Sequence, residues 1–155
     1  MNTPATINPH IVEGLYCEAL ALADEVRTAF DMSGRLDQLA EDEDLARIAL
    51  SCEALRTTTR MMHAIAWLLN QRAYLNGELN EFQLRRHGRL PRHAGESDPE
   101  RLALLSKDIR ELIAETERFY ARIDRLDRAW RDHFAMQPSA IARLRERLGQ
   151  AVGGA

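Results

Sequence analysis

Aromatic residues are scarce in this chain of 155 residues, where two Trp, three Tyr and four Phe amount to 6%. β-Branched residues are also few, whereas Ala, Leu, Glu and Arg are abundant. Strands favour the scarce types and helices favour the abundant ones, so this composition argues against a sheet. With 45% apolar and 29% charged residues, the chain has the balance of one globular domain rather than of a disordered segment.

Cysteine occurs only twice, as Cys17 and Cys52, with no C-x-x-C pair. This usage favours a reduced cytosolic protein in which both thiols are small buried side chains. The N-terminal residues lack the basic and apolar regions of a secretory signal. The longest apolar run, Ala64–Leu69, is far shorter than the ~20 residues of a membrane span. We therefore expect a cytoplasmic location.

No single sign of charge dominates, since the formal net charge is −3. Residues 1–84 carry 13 acidic residues and 6 Arg, whereas residues 85–155 carry 11 acidic and 15 basic residues. A general nucleic-acid binder should be clearly positive, so this class is disfavoured. The sequence has one basic cluster, which consists of Arg85, Arg86, His87, Arg89, Arg92 and His93. The cluster lacks interleaved aromatic residues, so it is interpreted as a solvated connection or as a patch for an acidic partner. Phosphate binding is the alternative.

Catalytic and metal-binding motifs are also lacking: there is no Gly-rich phosphate loop, HExxH or GxSxG. The acidic run Glu41–Asp44 has no turn glycine of a calcium loop and is interpreted as the first turn of a helix. A phosphotransfer role of His63 is disfavoured, because neither a basic residue nor a glycine follows it within a turn. We expect no enzymatic activity, no metal and no cofactor.

Hydrophobic periodicity and capping residues predict a first helix that starts at Asn8-Pro9 and ends before Gly34. A second helix should start near Glu41–Asp44 and end at Asn76, before Gly77. Its predicted core seam has the 3/4 spacing of a coiled coil, and a second apolar stripe runs beside it. The seam consists of Leu45, Ile48, Cys52, Leu55, Thr59, Met62, Ala66, Leu69 and Ala73, and the stripe of Leu50, Ala54, Met61, Ile65, Leu68 and Leu75.

Downstream, Asn80 is predicted to cap a short segment, Glu81–Arg89, and Asp98-Pro99 to start a long helix that ends at Pro138. That helix keeps a 3/4 apolar spacing, and we expect two acid–base pairs on its outer face, Asp124–Arg128 and Asp127–Arg131. Ser139 should cap a last, weak helix that runs through Leu148.

These elements predict an all-α fold, an antiparallel three-helix bundle with long helices. A single domain covers residues 1–155, with its core at 9–136 and a flexible or weakly helical tail at 137–155. A bundle gives the second helix only two neighbours, so part of its second stripe should stay uncovered and pair two copies as a homodimer. Coverage by the short segment or by the tail is the alternative. The dimer-interface candidates are Met61, Ile65, Leu68 and Leu75.

Several segments together resemble the RcdA family, the regulator of CtrA degradation in alphaproteobacteria. They are Tyr16–Ala19, Glu53–Met62 (EALRTTTRMM), Ala66–Leu69 (AWLL), Gln71–Ala73 (QRA) and Gly77-Glu78, within a match from Pro9 to Phe134. The resemblance implies a homodimer of three-helix bundles that acts as a non-enzymatic adaptor. Such adaptors help the ClpXP protease receive cell-cycle substrates, together with a response-regulator primer and a partner that binds cyclic di-GMP.

The residues carried over from the family motif are Glu53, Arg56, Arg60, Gln71, Arg72 and Glu78. The tail after Pro138 does not match the family's tail, and the sequence leaves open whether CtrA or another protein is the substrate. The alternative is a helical dimerisation or structural module without a protease link, followed by nucleic-acid binding and histidine phosphotransfer. No membrane partner is expected.

Overall fold

The protein is all-helical in the computed structural model, which describes residues 8–37, 44–92, 96–136 and 140–152. The predicted fold class, all-α, is therefore confirmed. Residues 41–43, His93 and Ser139, to which the sequence assigned roles, lie outside the described residues. The elements are α1 (Pro9–Asp37), α2 (Asp44–Leu75), α3 (Glu81–His87), α4 (Pro99–Ala103), α5 (Lys107–Met136) and α6 (Ala140–Val152).

The predicted start of α1 is confirmed, because the Asn8 side chain accepts a hydrogen bond from the backbone N–H of His10 at 2.9 Å. The predicted end before Gly34 is wrong, since α1 continues through this glycine to Asp37. Glycine inside a helix costs only about 1 kcal/mol relative to alanine, so it does not stop a helix by itself.

Gly77 ends α2, as predicted. Its φ of 78° lies in the left-handed region, and the N–H of Glu78 donates to the carbonyl of Ala73 at 2.9 Å. The N–H of Gly77 donates to the carbonyl of Tyr74 at 3.1 Å. These two bonds form a Schellman motif, in which glycine is favoured because it has no Cβ.

The region between α2 and α5 contains two short helices. A capping box between Asn80 and Gln83 starts α3, which confirms the predicted cap. Asp98 caps α4 as expected, but the prediction of one continuous helix is wrong. The helix that starts at Pro99 ends at Ala103, and α5 begins at Lys107. Ser106 accepts a hydrogen bond from the backbone N–H of Ile109 at 3.4 Å, so it supplies a second helix start that the apolar periodicity concealed.

The three long helices are not all antiparallel to one another. α1 and α2 are antiparallel, because Glu13 near the start of α1 pairs with Arg72 in the last turn of α2. α2 and α5 are parallel: Arg60 contacts Thr116, and further along both helices Trp67 contacts Asp127. The antiparallel prediction is wrong for this pair, because the connection with α3 and α4 runs back along α2 before α5 begins.

In α1 and α5 the apolar residues of the predicted periodic pattern are buried or half-buried, so the core faces of these two helices agree well with the prediction. In α2 the two predicted apolar faces change places: the second stripe packs against the core, and the predicted core seam does not. Met61 and Leu68 of the proposed dimer stripe are buried, and Ile65 and Leu75 pack against the same core. Met61 and Leu68 are therefore covered within one chain, whereas Ile65 and Leu75 stay half-buried. A pairing of two copies through these four candidates stays a prediction.

The predicted core seam of α2 instead faces outward. Its five large apolar side chains are between 44% and 72% exposed. With 3.6 residues per turn, this seam lies on the side of α2 opposite the buried residues Glu53 and Arg60. We call the following eight residues the outer seam: Leu45, Ile48, Cys52, Leu55, Thr59, Met62, Ala66 and Leu69.

Candidate partner-binding surfaces

A line of polar side chains runs along the buried side of α2, among apolar side chains such as Trp67. Glu53, Thr57, Arg60 and Gln71 recur at spacings of 4, 3 and 11 residues, and each is at most 3% exposed. We call these four residues the polar stripe. Burial of polar side chains is costly unless they find partners. Glu53 and Arg60 have partners on neighbouring elements, whereas the side-chain oxygens of Thr57 and Gln71 are buried without a hydrogen-bond partner among the described residues. Three of the six residues carried over from the family motif are thus placed in the interior.

Arg60 joins α2 to α5. One terminal nitrogen donates to the Thr116 hydroxyl at 2.7 Å, and the other pairs with Glu117 at 3.3 Å. The Thr116 hydroxyl in turn donates to the carbonyl of Ile113. Burial lowers the pKa of Arg60, while the nearby carboxylates of Glu117 and Glu53 oppose this shift. Arg60 therefore serves as an internal cross-brace.

Glu53 joins α2 to the segment that precedes α5. One carboxylate oxygen accepts a hydrogen bond from Ser97 at 2.8 Å, and the other lies 3.9 Å from Arg101 of α4. One turn further, Arg56 donates to the backbone carbonyl of Glu96 at 3.1 Å. The sequence did not indicate Ser97 or Arg101 as partners, because both are distant in the chain and lie in a segment without periodicity.

The C-terminal motif residues differ in exposure. The guanidinium of Arg72 bonds to Glu13 at 2.6 Å and lies 4.4 Å from the centroid of the Tyr16 ring, so it joins α2 to α1. The hydrogen bond that Arg72 donates to the Glu13 carboxylate is the main cause of the raised pKa of Arg72. Glu78, the last residue of the Schellman motif, has an exposed side chain. Among the six motif residues it is the one most available to a partner.

Asp127 is a buried residue that the sequence analysis placed on the outer face of α5. Its carboxylate accepts the indole N–H of Trp67 at 2.9 Å and pairs with Arg131 at 2.8 Å. The two predicted pairs on α5 therefore form, but Asp127 is only 4% exposed. The indole N–H of Trp67 could have indicated a buried acceptor, since buried tryptophans usually find one.

A rigidly held surface is formed by α3 and the residues after it. Leu84 is buried and anchors the helix, and a Cβ at Gly88 would lie 2.6 Å from the Leu84 carbonyl oxygen, so the chain passes this point closely. On the outside, Phe82 is 69% exposed. The exposed cations of this segment include most of the predicted basic cluster. Phe82 and Arg86 lie one turn apart on α3 and are both exposed, and we call these two residues the α3 patch.

Another surface feature is an open groove between α1 and α5. Five carboxylates line it together with Ala29, Met32 and Leu112. Two of these acids already have cationic neighbours, since Asp24 pairs with Arg27 and Glu111 with Lys107. The carboxylates are Asp24, Glu25, Asp108, Glu111 and Glu115.

Within the described ranges, no group of three or more His, Cys, Asp or Glu side chains is placed to hold a metal ion. In the same parts of the chain, no helix has the length and apolar character needed to cross a membrane. His63 is half-buried in the middle of α2.

Residues 3–152 match the family described as "Protein of unknown function (DUF1465)". Comparison with curated proteins and with solved structures gives no significant match. The family match covers all six helices, so it applies to the whole arrangement described above.

Proposed function

Because the chain belongs to the DUF1465 family, we propose that it is a non-enzymatic adaptor resembling the RcdA family, which is of DUF1465 type. In this role it assists the delivery of cell-cycle substrates to the ClpXP protease through protein–protein contacts. The expected partners are the protease, its primed adaptor complex and the protein substrates. The motif residues support this proposal as the frame of the adaptor, since they brace α2 against α1, α4 and α5.

The observation that carries the proposal is the α3 patch, which combines the exposed ring of Phe82 with the exposed guanidinium of Arg86 on one face of α3. Aromatic and arginine side chains are the types that contribute most to binding at protein interfaces. The patch is held by a capping box and a buried leucine, so little conformational entropy is lost when a partner binds. Its charge suits an acidic segment of a partner protein. The guanidinium alone would also suit phosphate groups, but a protruding phenylalanine favours a protein.

The test is a reconstituted degradation assay with ClpXP, the response-regulator primer, the cyclic-di-GMP-binding protein and a candidate substrate from the same organism. We expect the protein to raise the degradation rate. The double variant Phe82→Ala/Arg86→Glu should lose about ten-fold of this stimulation, because it removes a hot-spot ring and reverses a charge. The matched control, Leu104→Ala/Arg118→Glu, changes an exposed apolar residue and an exposed arginine outside the patch and should keep it.

Two outcomes would contradict different parts of the proposal. If the wild-type protein neither changes degradation nor captures any component of the system, the adaptor function is wrong, and a structural module without a protease link becomes the better description. If stimulation occurs but the patch variant retains it, the adaptor function stands and the α3 patch is not its binding surface.

A further inference from the structure

A small cavity lies where α2, α3 and α5 meet, beneath the inward face of α3. Its volume is about 20 Å³, which accommodates one group of the size of a water molecule. The inner wall consists of Trp67, Gln71, Leu84, Asp127 and Trp130, each at most 5% exposed. The cavity is on the opposite side of α2 from the outer seam, so it is a separate feature of the molecule.

One polar side chain on this wall has an oxygen without a hydrogen-bond donor. Gln71 is only 3% exposed, and its side-chain carbonyl oxygen receives no hydrogen bond from the described residues. Asp127, on the same wall, is already engaged by the indole of Trp67 and by the guanidinium of Arg131. Native proteins rarely bury an acceptor without a donor, because its desolvation is not repaid. The Gln71 carbonyl therefore indicates a group that enters the cavity and donates a hydrogen bond.

The outer part of the cavity is positively charged, because Arg85, Arg89 and Arg131 line it. Arg85 pairs with Glu81 at 2.8 Å, and Arg131 pairs with Asp127 at the same distance. Arg89 is exposed and forms no ion pair within the described parts of the chain. Arg89 is therefore the guanidinium at this opening that is available to a carboxylate of another molecule.

The size and the charge of the cavity restrict the donor that fits it. An ammonium group would be repelled by the arginines at the opening. A carboxamide consists of three heavy atoms and exceeds the volume of the cavity. A hydroxyl group is as large as a water molecule, and it both donates and accepts hydrogen bonds. Serine carries its hydroxyl on a single methylene without a further methyl group, so a serine side chain fits best.

We propose that this cavity receives the hydroxyl group of a serine from an acidic segment of a partner protein. The hydroxyl donates to the Gln71 carbonyl, and a carboxylate next to the serine in the segment pairs with Arg89. The inference deepens the proposed function, on which it rests for the presence of a partner protein, and it specifies the chemistry of the segment. Arg85 at the opening is adjacent in the chain to Arg86 of the α3 patch, so one bound segment can contact both.

Tryptophan fluorescence tests the site directly, because the two tryptophans of the chain both line the cavity. The probe is the peptide acetyl-Gly-Glu-Ser-Asp-Gly-amide, and the matched control peptide has alanine in place of serine. We expect the serine peptide to change the emission in a saturable way and to bind about ten-fold more tightly than the alanine peptide, since only serine supplies the donor. Equal affinities would refute the hydroxyl site, and no change up to about 10 mM would refute binding at the cavity altogether.

Two variants examine the individual contacts. Gln71→Met keeps the side-chain length but removes the acceptor, so it should bind the two peptides with equal affinity. Arg89→Gln should weaken both peptides by the same factor, up to about five-fold, and keep the preference for serine. Arg118→Gln, at an exposed position of α5 outside the cavity, is the matched control and should behave like the wild type. A serine preference that persists in Gln71→Met, or unchanged affinities in Arg89→Gln, would overturn the contact assigned to that residue.

A second measurement needs no substitution. In ¹H–¹⁵N spectra of the wild-type protein, the side-chain amide signal of Gln71 should shift with the serine peptide and much less with the alanine peptide. Inorganic phosphate at the same ionic strength should leave this signal in place, and an equal shift would show that the opening binds anions in general, which overturns the proposal. Neither assay contains ClpXP. A negative result therefore refutes the cavity site alone, whereas a protein that binds the serine peptide but fails in the degradation assay refutes the adaptor function alone.

Discussion

Trp67 of α2 and Trp130 of α5 stack with their ring centroids 5.3 Å apart and their planes 13° from parallel. The stacked pair fixes the axial position of α5 relative to α2. Only Trp67 has, in addition, the hydrogen bond from its indole to the buried carboxylate of Asp127. The stack and the hydrogen bond together connect α2 to α5, and the hydrogen bond joins residues that are 60 positions apart in the chain.

The first prediction compares the two tryptophans. Trp67→Phe and Trp130→Phe remove similar ring areas from the core, but only Trp67→Phe leaves the Asp127 carboxylate without its indole donor. We expect Trp67→Phe to lower the free energy of unfolding by about 1–2 kcal/mol more than Trp130→Phe does. Urea unfolding followed by circular dichroism measures both. Equal losses would mean that the hydrogen bond contributes nothing net.

The second prediction concerns the cross-brace of α2 and α5. Arg60→Met keeps most of the buried side-chain volume but removes the donor to Thr116 and the pairing with Glu117. We expect a loss of about 2–4 kcal/mol of unfolding free energy, because the Thr116 hydroxyl is left in the interior without this donor. Arg118→Met, at an exposed position of α5, is the control and should change stability by at most about 0.5 kcal/mol.

The third prediction uses two glycines with opposite conformations. Gly77 has a φ of 78°, and Gly77→Ala should lower stability by about 1 kcal/mol, because an L-residue is strained in the left-handed region. Gly34 lies inside α1, and a Cβ there would meet nothing within 4 Å. Gly34→Ala should therefore raise stability by about 0.5–1 kcal/mol. Thermal unfolding of both variants would reveal the two signs, and a common sign would contradict this account.

The fourth prediction is a pH dependence caused by Tyr120. Burial is the main reason that the pKa of Tyr120 is raised from 10.0 to about 12, with nearby Asp124 and Asp127 adding to the shift. Between pH 10 and 12 the folded chain keeps a proton that the unfolded chain releases. The free energy of unfolding should consequently fall as the pH rises through this interval, by at most about 1.4 kcal/mol per pH unit.

Tyr120→Phe is the control for this effect. The variant lacks the hydrogen bond from the Tyr120 hydroxyl to the carbonyl of Pro91 and should be less stable than the wild type at pH 9. Its disadvantage should shrink as the pH approaches 12, since it has no phenol to ionise. A difference that stays constant from pH 9 to 12 would show that Tyr120 titrates normally.

The position of the motif residues could be read only partly from the sequence. The resemblance singled out Glu53, Arg60 and Gln71. It did not reveal that these three side chains occupy the most buried face of α2. Glu53 and Arg60 are buried where Ser97 and Thr116 meet them, and those partners come from distant parts of the chain.

The sequence by itself determined the all-helical class, the capped starts of α1, α3 and α4, and the stop at Gly77. It also determined the inward faces of α1 and α5, because local capping chemistry and a single apolar stripe leave one solution for each. Only the tertiary structure decided which way α2 faces and that α2 and α5 are parallel. α2 has two apolar stripes and one polar stripe, and the choice among them depends on the partners that each stripe meets. Hydrogen bonds to α5 and to the segment before α4 turn the polar stripe inward, and this leaves the regular 3/4 seam of α2 exposed on the outside.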